Sequence, residues 1–263
     1  MYRCFIACFA FAIFCIAHAA DDSSLAKQLS NPISDLISLP FQHNFDNRVG
    51  PIEGGRTYRL NIQPVIPFEL TEDLNLINRT IIPVINQEAI FPGSGEQTGL
   101  GDTVQSLFFS PREPTAGGVT WGVGPVFLLP TATEPLLGAE KWGIGPTAVV
   151  LKQTGPWTIG SLVNHVWSFA GSDNRNDVNN TFIQPFLAYN TPNAWTFTLQ
   201  SESTYSWETE HWNAPVHFLV AKVFEVGDQT YQIQAGPRYY VDNPETGAQE
   251  WGFRLNWVML FPK

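Results

Sequence analysis

The sequence has 263 residues, with 14 Lys and Arg against 24 Asp and Glu, a net charge of −10 and only 14% charged side chains. So acidic a balance argues against nucleic acid as a partner. Abundant aromatic and β-branched residues exclude disorder, and 21 Gly with 20 Pro disfavour a helical bundle. An all-β chain rich in aromatics is left, with nine Trp and 19 Phe.

Residues 1–19 read as an export signal. Arg3 precedes an apolar run from Phe5 to Ala17, and Ala17-His18-Ala19 supplies the small residues for cleavage after Ala19. Cys4, Cys8 and Cys15 all fall inside it, so the exported chain has no disulfide, which suits a bacterial envelope. Residues 20–38 form an N-terminal periplasmic segment or plug. Leu25, Leu29, Ile33 and Leu36-Ile37 are helically spaced, and Pro32 breaks the helix in two. Beyond this segment no apolar run approaches the roughly 20 residues of a membrane-spanning helix.

From residue 39 to 263 the pattern changes to alternation. Strands are expected at 39–48, 56–69, 74–88, 101–112, 118–130, 141–152, 157–169, 181–190, 195–208, 215–225, 230–241 and 250–261. Short connections such as 70–73, 153–156, 191–194 and 227–228 alternate with longer polar ones at 89–100, 131–140 and 170–180. Short turns on one side and long loops on the other mark outer-membrane barrels. One face of the strand at 195–208 carries Trp195, Phe197, Leu199, Tyr205 and Trp207, and the other is polar throughout. Trp157 and Trp167 repeat the spacing, as do Trp251, Trp257 and Phe261. Aromatics about ten residues apart, on strands rising about 3.3 Å per residue and tilted near 40°, span about 25 Å, the height of a lipid-facing band between aromatic girdles. A soluble sandwich also alternates, but it has no reason to place aromatics at that spacing.

The fold expected is therefore all-β: a closed antiparallel transmembrane β-barrel of about twelve strands, with a short N-terminal helical or irregular segment. Its lipid-facing girdle would be Trp157, Trp167, Trp195, Tyr205, Trp251, Trp257 and Phe261. Glu250-x-Gly252-x-x-Leu255-x-Trp257 fits the last-strand pattern read by the outer-membrane assembly machinery, so Gly252, Leu255 and Trp257 are assembly-signal residues. The parity of the strands points Arg59, Asn61, Arg79, Gln200, Glu202, Gln234, Arg238 and Arg254 into the lumen as pore-lining candidates. These four arginines are expected to cluster along one side without enough carboxylates, which favours water or an anionic solute among them.

Several segments, in order, carry a resemblance: Asn31-Pro32-Ile33-Ser34-Asp35-Leu36, Leu60-Asn61-Ile62-Gln63-Pro64-Val65, Gly99-Leu100-Gly101-Asp102, Leu129-Pro130-Thr131-Ala132-Thr133, Lys141-Trp142-Gly143-Ile144-Gly145-Pro146 and His165-Val166-Trp167-Ser168-Phe169. Together they resemble the bacterial outer-membrane family filed under the meta-pathway of phenol degradation, whose members are often labelled transporters or, misleadingly, neuromedin U. The resemblance covers the chain after the signal and implies a barrel with a transport role.

Enzymatic readings are weak. His165 and Ser168 are three apart on a strand and so face opposite sides. His211 beside Glu208 and Glu210 reads as a polar loop rather than a metal site, and His43 and His217 stand alone as wall residues. Gly93-Ser94-Gly95 and Gly99-Leu100-Gly101 lack the strand–helix setting of phosphate loops. No catalytic residue, metal site or cofactor is assigned. The function expected is an outer-membrane channel or transporter for a small-molecule solute, small organic or aromatic anions being the class favoured. The alternatives are a non-conducting structural or adhesive barrel and, further off, an outer-membrane hydrolase. The partners expected are outer-membrane lipid and lipopolysaccharide of a Gram-negative bacterium, the assembly machinery and the solute.

Overall fold

A computed structural model describes residues 22–261, so the export signal at 1–19 lies outside the described residues. The described residues open with a helix over residues 22–29, then β1 (Ile37–Val49), β2 (Gly55–Ile62), β3 (Val65–Glu69) and β4 (Leu74–Glu88). Next come β5 (Glu96–Leu100), β6 (Thr103–Pro111), β7 (Val119–Leu129), β8 (Lys141–Thr154) and β9 (Trp157–Gly171). The last group is β10 (Asn179–Asn190), β11 (Trp195–Ser201), β12 (Ser203–Ser206), β13 (His211–Val226), β14 (Gln229–Asp242) and β15 (Glu250–Phe261).

Three pairs of these segments are single strands with a local break. β5 and β6 both pair with β4, β11 and β12 both pair with β10 and β13, and β3 continues β2 along β4 past Gln63-Pro64. The fifteen segments thus form twelve antiparallel strands, closed where β15 meets β1 with Ile37 opposite Phe261 and Asp46 opposite Gly252. Closure removes the exposed edges that an open sheet would leave unpaired. Two strands begin earlier than their alternation suggests. The fourth starts at Glu96, before Gly101-Asp102, and the tenth starts at His211 within a Glu-rich stretch. In both, ladder hydrogen bonds to one neighbour, β4 for Glu96–Leu100 and β12 for residues 211–213, override a local composition that favours a loop.

Direction along the barrel follows from the antiparallel order. The helix and the turns 70–73, 112–118, 155–156, 191–194 and 227–228 lie at one end, called here the near end. The loops 50–54, 89–95, 130–140, 172–178, 207–210 and 243–249 lie at the far end. In the longest of these, Asp102 accepts from the Ala132 and Ala139 amides, tying down a segment with few ladder bonds.

All nine tryptophans project from the outer wall, each at least 39% exposed. They fall in two belts. Near the helix end, Trp157 packs edge-on against Tyr189 at 4.8 Å, and Trp257 stacks on Tyr231 at 5.7 Å, with Trp195 at the same level. Towards the far end, Trp251 lies 4.9 Å from Tyr239, and Tyr205 lies 5.0 Å from both Trp207 and Trp212. Leu199, Leu255 and Phe253 belong to the same outward parity between the belts.

The N-terminal segment does not stay outside the barrel. Ala26 is fully buried against Ala194 and Val223 at the near mouth, with Leu25 and Leu29 beside it. Gln153 donates to the Lys27 carbonyl and Ser30 to Asn190, so two inward-facing wall residues hold the segment. Ile33 goes deeper and joins Ile77, Phe108, Val149, Leu151, Leu162 and Phe186, all inward-facing residues of the near half. Asn75 then donates to Asp35 just before β1 begins. The chain therefore crosses the lumen before it enters the wall.

Burying an isoleucine side chain is worth about 2–5 kcal/mol against alanine, and a buried carboxylate there costs more. Ile33→Asp is expected to detach residues 22–36 from the mouth while the ladder stays intact. Limited proteolysis checks this: cleavage confined to that segment, with a protected barrel core, is the expected pattern.

Candidate functional site

Midway along the lumen the alternation brings together polar groups on inward positions of several strands, among them Asn44, Glu202, His217, Arg238 and Arg254. Arg254 on β15 is the centre. Its ladder partner on β1 is Asn44, and its partner on β14 is Gly236, which presents no side chain. An added Cβ at Gly236 would lie 3.0 Å from the Leu219 Cα, so the backbone there is packed too closely for any larger residue. The guanidinium reaches past β14 and β13 to the carboxylate of Glu202, at the break between β11 and β12. Two parallel contacts join them, Nη1 to Oε1 at 2.6 Å and Nη2 to Oε2 at 2.7 Å.

Further groups complete the network. Asn44 Oδ1 accepts from Arg254 Nε at 2.8 Å and from Arg238 Nη1 at 2.9 Å. Gln200 donates to Glu202 Oε1 at 2.9 Å, and His217, fully buried between the arms, has its Nε2 4.0 Å from Glu202 Oε2. Arg238 places Nε 3.3 Å from Asp46 Oδ1, hydrogen-bonds the Tyr240 hydroxyl and lies over that ring at 4.9 Å. Gly252 is what lets this second pair form. A Cβ there would come within 2.9 Å of Arg238 Cγ and 2.8 Å of the Phe45 carbonyl oxygen.

The expectation of four clustered arginines short of carboxylates is corrected here. Arg254 is matched by Glu202 past two intervening strands, and Arg238 by Asp46 past one. The acidic partner of Arg238 comes from β1, where Gln42, Asn44 and Asp46 alternate with Phe41, His43 and Phe45. That inward stripe escaped the sequence reading, as did the position of Tyr240. The other two arginines sit apart. Arg59 is exposed on the far side of the network, opposite Asn44 in the ladder. Arg79 lies on β4, on the near side, where Nη2 donates to Gln63 Oε1 at 3.1 Å. Asn61 donates to Gln42, and Gln234 pairs in the ladder with Asn256 on the inward face.

Between this network and the N-terminal segment lies a cavity of about 190 Å³. Pro32, Val65 and Phe186 supply apolar lining, interleaved with the polar Gln63, Arg79, Gln200, Glu202 and Arg254. At the far rim, Lys141 donates to Asp177 at 2.9 Å, and Ser168 donates to the same oxygen at 3.1 Å. These bonds hold the Asp177 carboxyl below the usual carboxylate range, the Lys141 bond contributing most. Ser168 therefore points to the rim loop. His165 points outward instead, with Nδ1 2.7 Å from Thr181 Oγ1 and its ring against Trp167. His43 is also outward, 2.7 Å from the Tyr58 hydroxyl, and His211 lies exposed at the far rim. Among the described residues no three His, Cys, Asp or Glu side chains converge as a metal site.

Fold and site together define a closed twelve-stranded barrel with an aromatic outer wall and a narrow, charged lumen. No family model matches the chain, and no curated protein matches it. Among solved structures, an outer membrane channel from Pseudomonas putida F1 superposes with a TM-score of 0.65 at 15% identity, covering 86% of this chain and 94% of that one. Outer membrane phospholipase A from Escherichia coli is also similar, with a TM-score of 0.47 at 11% identity over 91% of this chain and 98% of that one. The first of these shares the fold of this chain.

Arg254 is 2% exposed, so removing only its counter-charge leaves a buried cation, which costs about 3–5 kcal/mol. Glu202→Gln and Arg254→Gln are each expected to lower the urea midpoint of the folded barrel. The double variant Glu202→Gln/Arg254→Gln is expected to lose less than the sum of the two, and a double-mutant cycle measures the coupling.

Proposed function

We propose that this protein is an outer-membrane channel for small molecules, exported by the signal at 1–19 and narrow enough to select its solute, with small organic anions preferred. The observation that carries this reading is the lumen itself. Beyond its apolar near half, the twelve-stranded wall encloses a polar, charged network and a cavity. Two unmatched arginines, Arg59 and Arg79, lie on either side of the central ion pairs, and unmatched guanidinium favours anions along the path. The lining then includes all eight residues expected from parity, Arg59, Asn61, Arg79, Gln200, Glu202, Gln234, Arg238 and Arg254. In this reading Trp157, Trp167, Trp195, Tyr205, Trp251, Trp257 and Phe261 meet the lipid headgroups, with lipopolysaccharide at the far end. The likeness in fold to an outer membrane channel agrees with it, as does the sequence resemblance to the phenol meta-pathway family.

A second reading, a non-conducting structural barrel, is favoured by one specific feature: the segment 22–36 fills the near mouth. Liposome swelling separates the two. The full protein is expected to admit small organic anions slowly, and deletion of residues 22–36 is expected to raise the rate severalfold. A barrel impermeable in both forms supports the structural reading. A hydrolase has less support, because His165 and Ser168 face opposite sides of the wall.

Membrane residence has its own test. With Leu199 facing the hydrocarbon core, Leu199→Arg is expected to cost about 2–4 kcal/mol of stability in lipid, read from urea titration by heat-modifiable gel migration. Gly252, Leu255 and Trp257 serve the assembly machinery in this reading. Trp257→Ala with Phe261→Ala is accordingly expected to leave the chain in the periplasm, and normal outer-membrane levels of that variant would count against it.

A further inference from the structure

We infer that the cavity between residues 29–34 and the Arg254–Glu202 pair is a binding site for one small organic carboxylate, held by Arg79. This rests on the channel reading only for the ligand's route of entry; the site itself is defined by charge and shape. Arg254 and Arg238 already have carboxylates, whereas the partner given to Arg79 is the neutral Gln63. A guanidinium carries five N–H donors in a planar fork suited to a carboxylate. β4 and β11 stand six strands apart in either direction round the wall, so Arg79 faces Glu202 across the full lumen. Glu202 is committed to Arg254 by two short hydrogen bonds. Among the described residues Glu202 is the one carboxylate in the cavity lining and its charge is answered by Arg254, so an arriving anion meets Arg79 and an arriving cation meets two arginines.

The lining sets the rest of the ligand. Val65 stands beside Arg79 in the ladder and Phe186 beside Gln200, with Pro32 also in the lining, so the carboxylate needs an apolar body, and a bare inorganic anion leaves those groups uncovered. The cavity measures about 190 Å³, the room of a single-ring solute. It lies below the roughly 300–1,000 Å³ of pockets that take drug-sized ligands.

Equilibrium dialysis of the full protein in detergent against labelled benzoate tests the inference, with benzamide as the uncharged isostere. One benzoate should bind per barrel, about tenfold or more tighter than benzamide, the margin of a charge-assisted pair. Arg79→Gln should abolish that preference and leave benzamide binding unchanged. Arg79→Lys should retain part of it, and Arg56→Gln on the outer surface should change nothing. Folding of each variant is checked by heat-modifiable migration; if Arg79→Gln does not fold, Arg79→Lys and the benzoate–benzamide ratio of the unaltered protein decide. Equal affinity for the two ligands, or full benzoate affinity in Arg79→Gln, overturns the inference. Conductance is read separately. Binding without conductance keeps the site and removes the channel, and conductance without Arg79-dependent binding does the reverse.

Discussion

One ion pair organises the interior of this barrel. Arg254 and Glu202 join β15 to β11 across two intervening strands, at a level where the wall has no other way to fill its width. A buried guanidinium is stable only if a carboxylate and further acceptors surround it, and each surrounding residue has that task. Asn44 bridges Arg254 to Arg238, Gln200 steadies Glu202, and Asp46 answers Arg238. One glycine follows from it too, since Gly252 leaves the space in which Arg238 and Asp46 meet. The net effect is a nearly neutral bar across the lumen with one unmatched arginine on each side.

The near half is governed by a different constraint. Ile77, Phe108, Leu151 and Phe186 point inward where a water-filled tube would carry polar groups. They are stable there because Ile33 packs among them, while the helix over residues 22–29 covers Ala194 and Val223 at the mouth. The barrel thus has two interiors stacked along its axis, an apolar one closed by its own N-terminus and a polar one closed by charge pairs. The cavity sits at their junction, which is why its walls are half apolar and half polar.

The fold was readable because its signal is repeated. Each strand gives only weak alternation, but twelve in series, with aromatics recurring at girdle spacing and turns of alternating length, leave little other than a barrel. Trp195 to Trp207 and Trp251 to Phe261 carried most of that signal. The site was readable in parity but not in pairing. Arg79, Arg238, Arg254 and Glu202 could be placed on inward faces, yet which carboxylate meets which guanidinium depends on register between strands far apart in sequence. Asp46 and Arg238 are separated by nearly the whole barrel and meet only through its closure. β1 hid its contribution because Gln42, Asn44 and Asp46 alternate with His43 as well as with Phe41 and Phe45, blurring the apolar face. The Gly-Pro steps at Gly124-Pro125 and Gly145-Pro146 fall inside strands that the alternation places at 118–130 and 141–152. Proline cannot donate to the ladder, yet Pro125 and Pro146 lie opposite each other inside paired strands.

The central claim is that a narrow lumen, neutral at its bar and positive beside it, conducts small ions with a preference for anions. The reversal potential of single channels in a planar bilayer under a tenfold potassium chloride gradient tests this most directly. The account predicts a measurable conductance whose reversal potential lies on the anion-selective side and moves towards zero in Arg79→Gln. Silence of the unaltered protein, or a cation-selective potential that Arg79→Gln leaves unchanged, would contradict it.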